Sequence, residues 1–531
     1  MGFKDLLNFL LRRKKTAADG HRDEKKLTEA MLPRALAQKM RLLRPYIEKN
    51  KDIVVRPFSL RGAPDIKAAA VFIEGVIDGK VLSEDVLKPM MLDSTGERLK
   101  KGGLPYLIDR IYETALTVGG VQKLSTFPEM VQGIFDGCTI LIFDGLAAVL
   151  AVDIQDGERR AVEEPATERA TRGSREGFVE SLVVNIALVR RRLRDPNLVV
   201  EKKIIGKRTR TDVAVLYIED IAAPELVDQL NERLERIDVD GILASGYIEQ
   251  LIEEYPSSIF PQHWSTERPD RVVAELLEGR IAVITDGTPT TLIAPSLFVE
   301  FLQGPEDYYE RTVVSSFNRA FRYLAFFLAI SLPAIYIAFL SFQPELLPFN
   351  LMLSLAETRR QVPFPVVVEM LLQEVIIQFI FESGERLPAP LGQTVGVVGG
   401  IVLGQAAVTA NLASPAVIIV IAITTISTFA LPTYSMALAT RVLRIPLIFL
   451  AAAFGSFGLS LGWLLILTHL IELESLGVPY FAPLGPMRFS DLKDTFYRTF
   501  LWKMDKRPES YPVQDRKRQK STGKRRPGRA R

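Results

Sequence analysis

Four runs of this chain, residues 321–342, 392–410, 415–432 and 447–470, are apolar over roughly the 20 residues a helix needs to cross a hydrocarbon core. None holds an acidic residue. They commit this part of the chain to membrane-spanning helices. The overall composition, 48% hydrophobic and 24% charged, conceals the division. Up to about Tyr309 the charges are dense and mixed, apolar runs dominate from Phe321 to Leu470, and a basic tail follows.

A fifth stretch, "VVVEMLLQEVIIQFIFESG" at 366–384, is long and apolar enough to span but carries Glu369, Gln373, Glu374, Gln378 and Glu382. At about 100° per residue, Glu369 and Gln373 fall on one side, and Glu374, Gln378 and Glu382 nearly opposite. Polar groups at membrane depth face protein or water and mark pathways. An amphipathic helix lying on the membrane surface fits less well, because apolar residues surround the wheel. The next run carries Gly392, Gly396, Gly400 and Gly404, a small-residue stripe that predicts close helix packing within or between chains. Pro363, Pro365, Pro388 and Pro390 bracket the polar helix and set its ends.

Topology brings a conflict. The start, "MGFKDLLNFLLRRKK", lacks the form of a signal peptide, which predicts a cytoplasmic first half. The tail from Lys503 holds 12 Lys/Arg against 3 Asp/Glu and also prefers the cytoplasm. Its last stretch, "RKRQKSTGKRRPGRAR", reads as a disordered segment drawn to anionic lipid. Two cytoplasmic ends require an even number of crossings, and five spans violate it. Either the polar helix is re-entrant or "LLPFNLMLSLA" (346–356) dips in.

The first half contains a repeat. "AAAVFIEG" (68–75) matches "DVAVLYIE" (212–219), and "GIFDGCTILIFDG" (133–145) matches "ELLEGRIAVITDG" (275–287), with nearly constant spacing. Each strand-like run ends in turn chemistry. Asp144-Gly145 and Asp286-Gly287 predict hairpins and explain those aspartates better than catalysis does. Helical stretches follow at 83–92, with Ser83 as a candidate N-cap, and at 223–237. Two α/β modules result, the first at 55–155 after an N-terminal extension 1–54, the second at 205–310.

Between them, 156–204 reads as a linker with an Arg-rich helix, whose Arg190–Arg192 and Arg194 sit where cations favour the helix dipole. An interdomain, subunit or headgroup contact fits it better than nucleic acid, since no aromatic platform accompanies the charge. Residues 321–472 form the helical membrane domain of four to six segments, and 473–531 the C-terminal segment with its basic tail. No phosphate loop, zinc-protease or hydrolase motif is present, and no enzyme, cofactor or metal site is expected. Cys138 reads as a small buried hydrophobe.

The blocks "RGSREGFVESLVVNIALVRRRL" (172–193), "RIDVDGILASGYIEQLIEEYPSSIFPQ" (236–262), "TERPDRVVAELLEGRIAVITDGTP" (266–289), "VPFPVVVEMLLQEV" (362–375), "RLPAPLGQTVGVVGGIVLGQAAV" (386–408) and "GVPYFAPLGP" (477–486) resemble the A subunits of the GerA-like nutrient germinant receptors of bacterial spores. The resemblance implies a protein of the inner spore membrane. It implies a transporter-like B subunit and a lipoprotein C subunit as partners, and a homo-oligomeric ring with a pore that releases ions in response to nutrients. The polar helix would line that pore, where a ring of Glu369 or Glu374 would favour cations. An accessory relative aiding ion or dipicolinic acid release, or a secondary transporter, is the alternative. No inverted repeat supports the transporter.

Overall fold

The computed structural model describes residues 31–60, 63–92, 107–111, 118–155, 165, 168, 172–386 and 404–519. Gly392, Gly396, Gly400, the first 30 residues and the tail beyond 519 lie outside the described residues.

The repeat becomes two sheets of identical order. In the first, β1 (Ile53–Leu60), β2 (Ala63–Ile73), β3 (Val121–Leu124), β4 (Thr139–Phe143) and β5 (Val149–Val152) lie as β1-β2-β4-β5-β3. In the second, β6 (Leu198–Ile205), β7 (Thr211–Ile218), β8 (Trp264–Thr266), β9 (Ile281–Thr285) and β10 (Thr291–Ala294) lie as β6-β7-β9-β10-β8. Every pairing is antiparallel, so the expected α/β modules are of the antiparallel α+β kind. The central strands "TILIF" and "IAVIT" are buried at every residue. In the first sheet, one face packs on residues 77–90 and the other on α1 (Leu36–Lys49) and α2 (Phe127–Phe135), which is why no polar alternation survives in β4.

The Asp-Gly pairs do close hairpins, with Gly145 and Gly287 at φ of 83° and 84°. Their aspartates also have a structural partner. Asp144 Oδ1 accepts from the Leu36 amide at 2.7 Å, at the start of α1. Asp286 Oδ1 accepts from the Leu182 amide at 2.9 Å, at the start of α3 (Leu182–Arg192). The Arg-rich helix is therefore the second module's counterpart of α1. The second module begins with that helix and with β6, ahead of the boundary expected at 205, and α1 and the start of β1 fall within the stretch expected as an extension. The repeat was visible only where both copies kept similar letters, and α1 and α3 do not. Ser83 is not a cap: the helix starts at Gly79, and Asp78 Oδ1 accepts from the Lys80 and Val81 amides. After β7 come α4 (Pro224–Glu235), α5 (Ser245–Ile252) and α6 (Pro269–Leu277).

The helical half holds α7 (Thr312–Phe342), α8 (Phe349–Arg359), α9 (Val366–Arg386), α10 (Gly404–Thr409), α11 (Pro415–Phe429) and α12 (Tyr434–Glu472). Two of these, α7 and α12, are long and apolar enough to cross a membrane, with mean hydropathy 2.2 and 1.9. Yet α12 is not one rod. Gly455 sits at φ 61°, ψ −139°, and the helix breaks there. A β-carbon on Gly458 would collide with the Leu450 carbonyl, and one on Gly462 with the Leu447 side chain, so the two arms lie side by side. The run 447–470, expected as a single span, is split between the arms of a helical hairpin. Composition cannot register a reversal that occurs at one left-handed glycine.

Cross-contacts fix the path. Helix α7 leaves the second module, and its last residue, Phe342, packs at Gly455, with ring carbon Cγ 2.8 Å from where a Gly455 β-carbon would be. Thr433, ahead of the first arm, donates to the Phe301 carbonyl (2.7 Å), and His469 near the end of the second meets Ser258 (2.9 Å). The hairpin thus begins and ends against the second module. Helix α9 starts where Glu369 meets Ser414 and runs back to Phe381, which packs on Phe429 at 5.2 Å. Replacing Gly458 with valine is expected to push the arms apart and cost about 1–3 kcal/mol by overpacking. Gly384→Ala, where added bulk meets open space, should be neutral or slightly stabilising. Thermal midpoints of the detergent-solubilised variants check both.

The C-terminal segment returns to the second module. Tyr480 donates to the Pro261 carbonyl (2.7 Å), Gln514 N donates to the Ile221 carbonyl (2.9 Å), and Arg507 and Arg518 engage the Leu277 carbonyl and Glu278. Residues 503–519, counted above as part of a basic tail, are packed because Tyr511 and Val513 anchor them in the core of that module.

Candidate functional site

The two polar faces of α9 meet different surroundings. Glu369 and Gln373 are buried, Glu374 is largely buried, and Gln378 and Glu382 are exposed. Around them the helix exposes Val368, Leu372, Val375 and Phe379, the last at 67%.

Glu374 is not an open carboxylate. Both of its oxygens accept from Arg444 Nη1, at 2.8 and 2.9 Å. Arg444 is 3% exposed and lies on the first arm of α12. Its Nε donates to the Ala329 carbonyl of α7 at 2.7 Å, and its Nη2 to Thr428 Oγ1 of α11 at 2.9 Å. One guanidinium therefore ties four helical segments, using its planar fork of donors as lysine could not. Nothing in the linear order of the chain pairs Arg444 with Glu374, 70 residues away. The available signal was the pair Arg441 and Arg444 ahead of an apolar run, since an arginine inside a bundle needs an acid.

Glu369 lies at the other end of α9. Its Oε1 accepts from the Ser414 amide and from Ser414 Oγ (2.6 Å), so it fixes the turn ahead of α11. Of the glycine stripe, only Gly404 is described. A β-carbon there would lie 3.9 Å from Ile418, an ordinary contact, so nothing among the described residues requires glycine at that position.

Two further buried joints lie outside the helical bundle. Between the modules, Arg190 is 1% exposed; its Nε and Nη2 reach Asp52 at 2.8 and 3.1 Å, Nη2 also reaches Asn50 (2.8 Å), and Nη1 reaches the Leu198 carbonyl (2.8 Å). At the junction with the helices, Arg319 bonds Asp307 (3.2 Å) and Asp494 (2.8 Å), and Arg322 bonds Asp307 (2.8 Å). The chain entering the helices and the chain leaving them are held by the same side chain. In the second module, burial pushes the His263 imidazole down to about 4 and holds it neutral, and burial beside Glu253 lifts the Glu249 carboxyl to about 7. Cys138 is half-buried, its thiol pushed up to about 11 by burial.

Residues 41–510 match the Bacillus/Clostridium GerA spore germination protein family. The chain is 38% identical to spore germination protein KA of Bacillus subtilis (strain 168), over 93% of this chain and 90% of that protein. It is 39% identical to the uncharacterized membrane protein YfkQ of the same strain, over 87% of this chain and 89% of that protein. The N-terminal domain of the A subunit of the Bacillus megaterium spore germinant receptor GerK3 is 35% identical, covering 51% of this chain and 98% of that one with a TM-score of 0.41. The match extends over both modules, the helical bundle and most of the returning segment, and the chain belongs to the GerA spore germination protein family.

Proposed function

We propose that this chain is the A subunit of a spore germinant receptor and that its helical half conducts ions across the inner spore membrane. In this reading it works as several copies together with a transporter-like B subunit and a lipoprotein C subunit. Counting the apolar run 392–410 expected from the sequence, six crossings follow: α7, α9, that run, α11 and the two arms of α12. That number is even and returns the C-terminal segment to the side of the modules. Neither a re-entrant polar helix nor a dip by 346–356 is then needed. Exposed apolar side chains on these helices, such as Phe317 (70%), Ile426 (68%) and Phe457 (69%), suit contact with lipid or other copies.

The observation that carries the reading is the exposed polar pair Gln378 and Glu382 on an otherwise apolar helix surface. Glu374 is paired with Arg444 inside the bundle and Glu369 is turned into the protein, so neither lies on an exposed face of the helix. Gln378 and Glu382 are the better lining, and Glu382 would favour cations. In liposomes holding the purified protein, Glu382→Gln is expected to lower the preference for cations over anions without changing assembly. Unchanged selectivity with normal assembly would remove Glu382 from the pathway, and saturable solute uptake in place of ion flux would identify a transporter.

A further inference from the structure

The inner face of α9 ends in a group of polar atoms that protein alone does not satisfy. Glu369 is fully buried; Oε1 is bonded to Ser414, but Oε2 has no hydrogen-bond partner among the described residues. The Arg359 guanidinium of α8 approaches that oxygen with Nε 3.7 Å away, beyond a direct hydrogen bond, and Nε is likewise unpartnered. One turn along α9, Gln373 is 5% exposed and its Nε2 has no partner. From α7, the Tyr336 hydroxyl is also buried; it approaches Ser414 without well-formed hydrogen-bond geometry, and Glu369 and Arg359 lie close to it. Polar atoms of α7, α8 and α9 thus gather around Glu369 and Ser414, with Gln373 one turn further along α9, beside the apolar cluster of Ile337, Val366, Met370 and Val417.

A buried polar atom left dry is destabilising, and several together are a heavy burden. Groups held a little beyond hydrogen-bond distance are the usual setting for bridging water, which needs two to four polar partners. We propose that Tyr336, Arg359, Glu369, Gln373 and Ser414 form an internal hydration site whose ligand is a small cluster of ordered water. Arg359 offsets the charge of Glu369, which favours water over a metal cation. The site lies at the end of the bundle away from the modules. On the membrane reading above, it is a wet pocket inside one protomer, at the far mouth of the polar helix, and not on an axis between copies.

Hydroxyl radicals made by X-ray pulses arise from the water present and label side chains beside it. In full-length protein in nanodiscs, Tyr336 is expected to be labelled strongly, while Tyr480, fully buried in an apolar core, stays unlabelled. Gln373→Leu, which removes one partner of the cluster, should take away most of the Tyr336 label. Labelling of Tyr336 as low as that of Tyr480 overturns the proposal, and so does a label unaffected by Gln373→Leu in a folded variant. If that variant does not fold, the comparison of Tyr336 with Tyr480 in the wild type decides alone. Ion flux with an unlabelled Tyr336 sinks the hydration site and spares the channel. A labelled Tyr336 in a protein without flux does the reverse.

Discussion

Arg444→Met is expected to destabilise the helical half by about 3–5 kcal/mol, the cost of leaving one partner of a buried pair uncompensated. Glu374 would keep its charge in a bundle with no donor, and the Ala329 carbonyl and Thr428 hydroxyl would each lose a hydrogen bond. Arg444→Lys should recover little, because one ammonium cannot reach three helices in a plane. The informative variant is the double one, Arg444→Met with Glu374→Met. Replacing a buried ion pair by apolar groups is often neutral or better for stability, so the double variant should regain most of the lost thermal midpoint in detergent. If it folds and assembles but no longer conducts, the pair serves the pathway as well as the fold. If the double variant is as unstable as Arg444→Met alone, the hydrogen bonds to Ala329 and Thr428, not the charge pair, hold the segments together.

The sequence disclosed what depends on local pattern. Strands β2, β4, β7 and β9 were legible as short apolar runs, and the Asp-Gly hairpins as turn chemistry, since both are set by neighbours in the chain. The two polar faces of α9 followed from helical geometry alone. What escaped depends on distant contacts. The reversal at Gly455 is invisible in hydropathy, because the apolar run 447–470 continues through it and glycines inside such runs are common. The equivalence of α1 and α3 was hidden because their letters differ; what they share is an aspartate more than 100 residues away on a hairpin turn. Charge counting treated residues 503–519 only as part of a basic tail and could not register Tyr511 and Val513, which anchor them on the second module. Arg190 was read in an Arg-rich helix suited to an interdomain, subunit or headgroup contact, and no partner was assigned to it or to Arg444. Only the fold reveals that each faces a buried acid.

The second large effect belongs to Arg190. Methionine there should cost about 3–5 kcal/mol, because Asp52, itself 1% exposed, would remain charged and dry between the modules. The damage should be local before it is global. Lys51 N donates to the Val200 carbonyl and Val200 N to Asn50 Oδ1, so these amides knit the first module to β6 beside the guanidinium. In hydrogen exchange on the full chain, Lys51 and Val200 are expected to lose protection in Arg190→Met, while β4 and β9, central in their sheets, keep theirs. Arg192→Met is the control on the same helix. Arg192 pairs with the half-exposed Glu176, and an ion pair open to solvent contributes about 0–1 kcal/mol. Both arginines sit in the last turn of α3, where the helix dipole favours a cation equally. If the two variants lose the same small amount, the dipole accounts for both and the buried joint contributes nothing. A large loss confined to Arg190→Met, with exchange opening at Lys51 and Val200, makes the guanidinium the fastening between the modules.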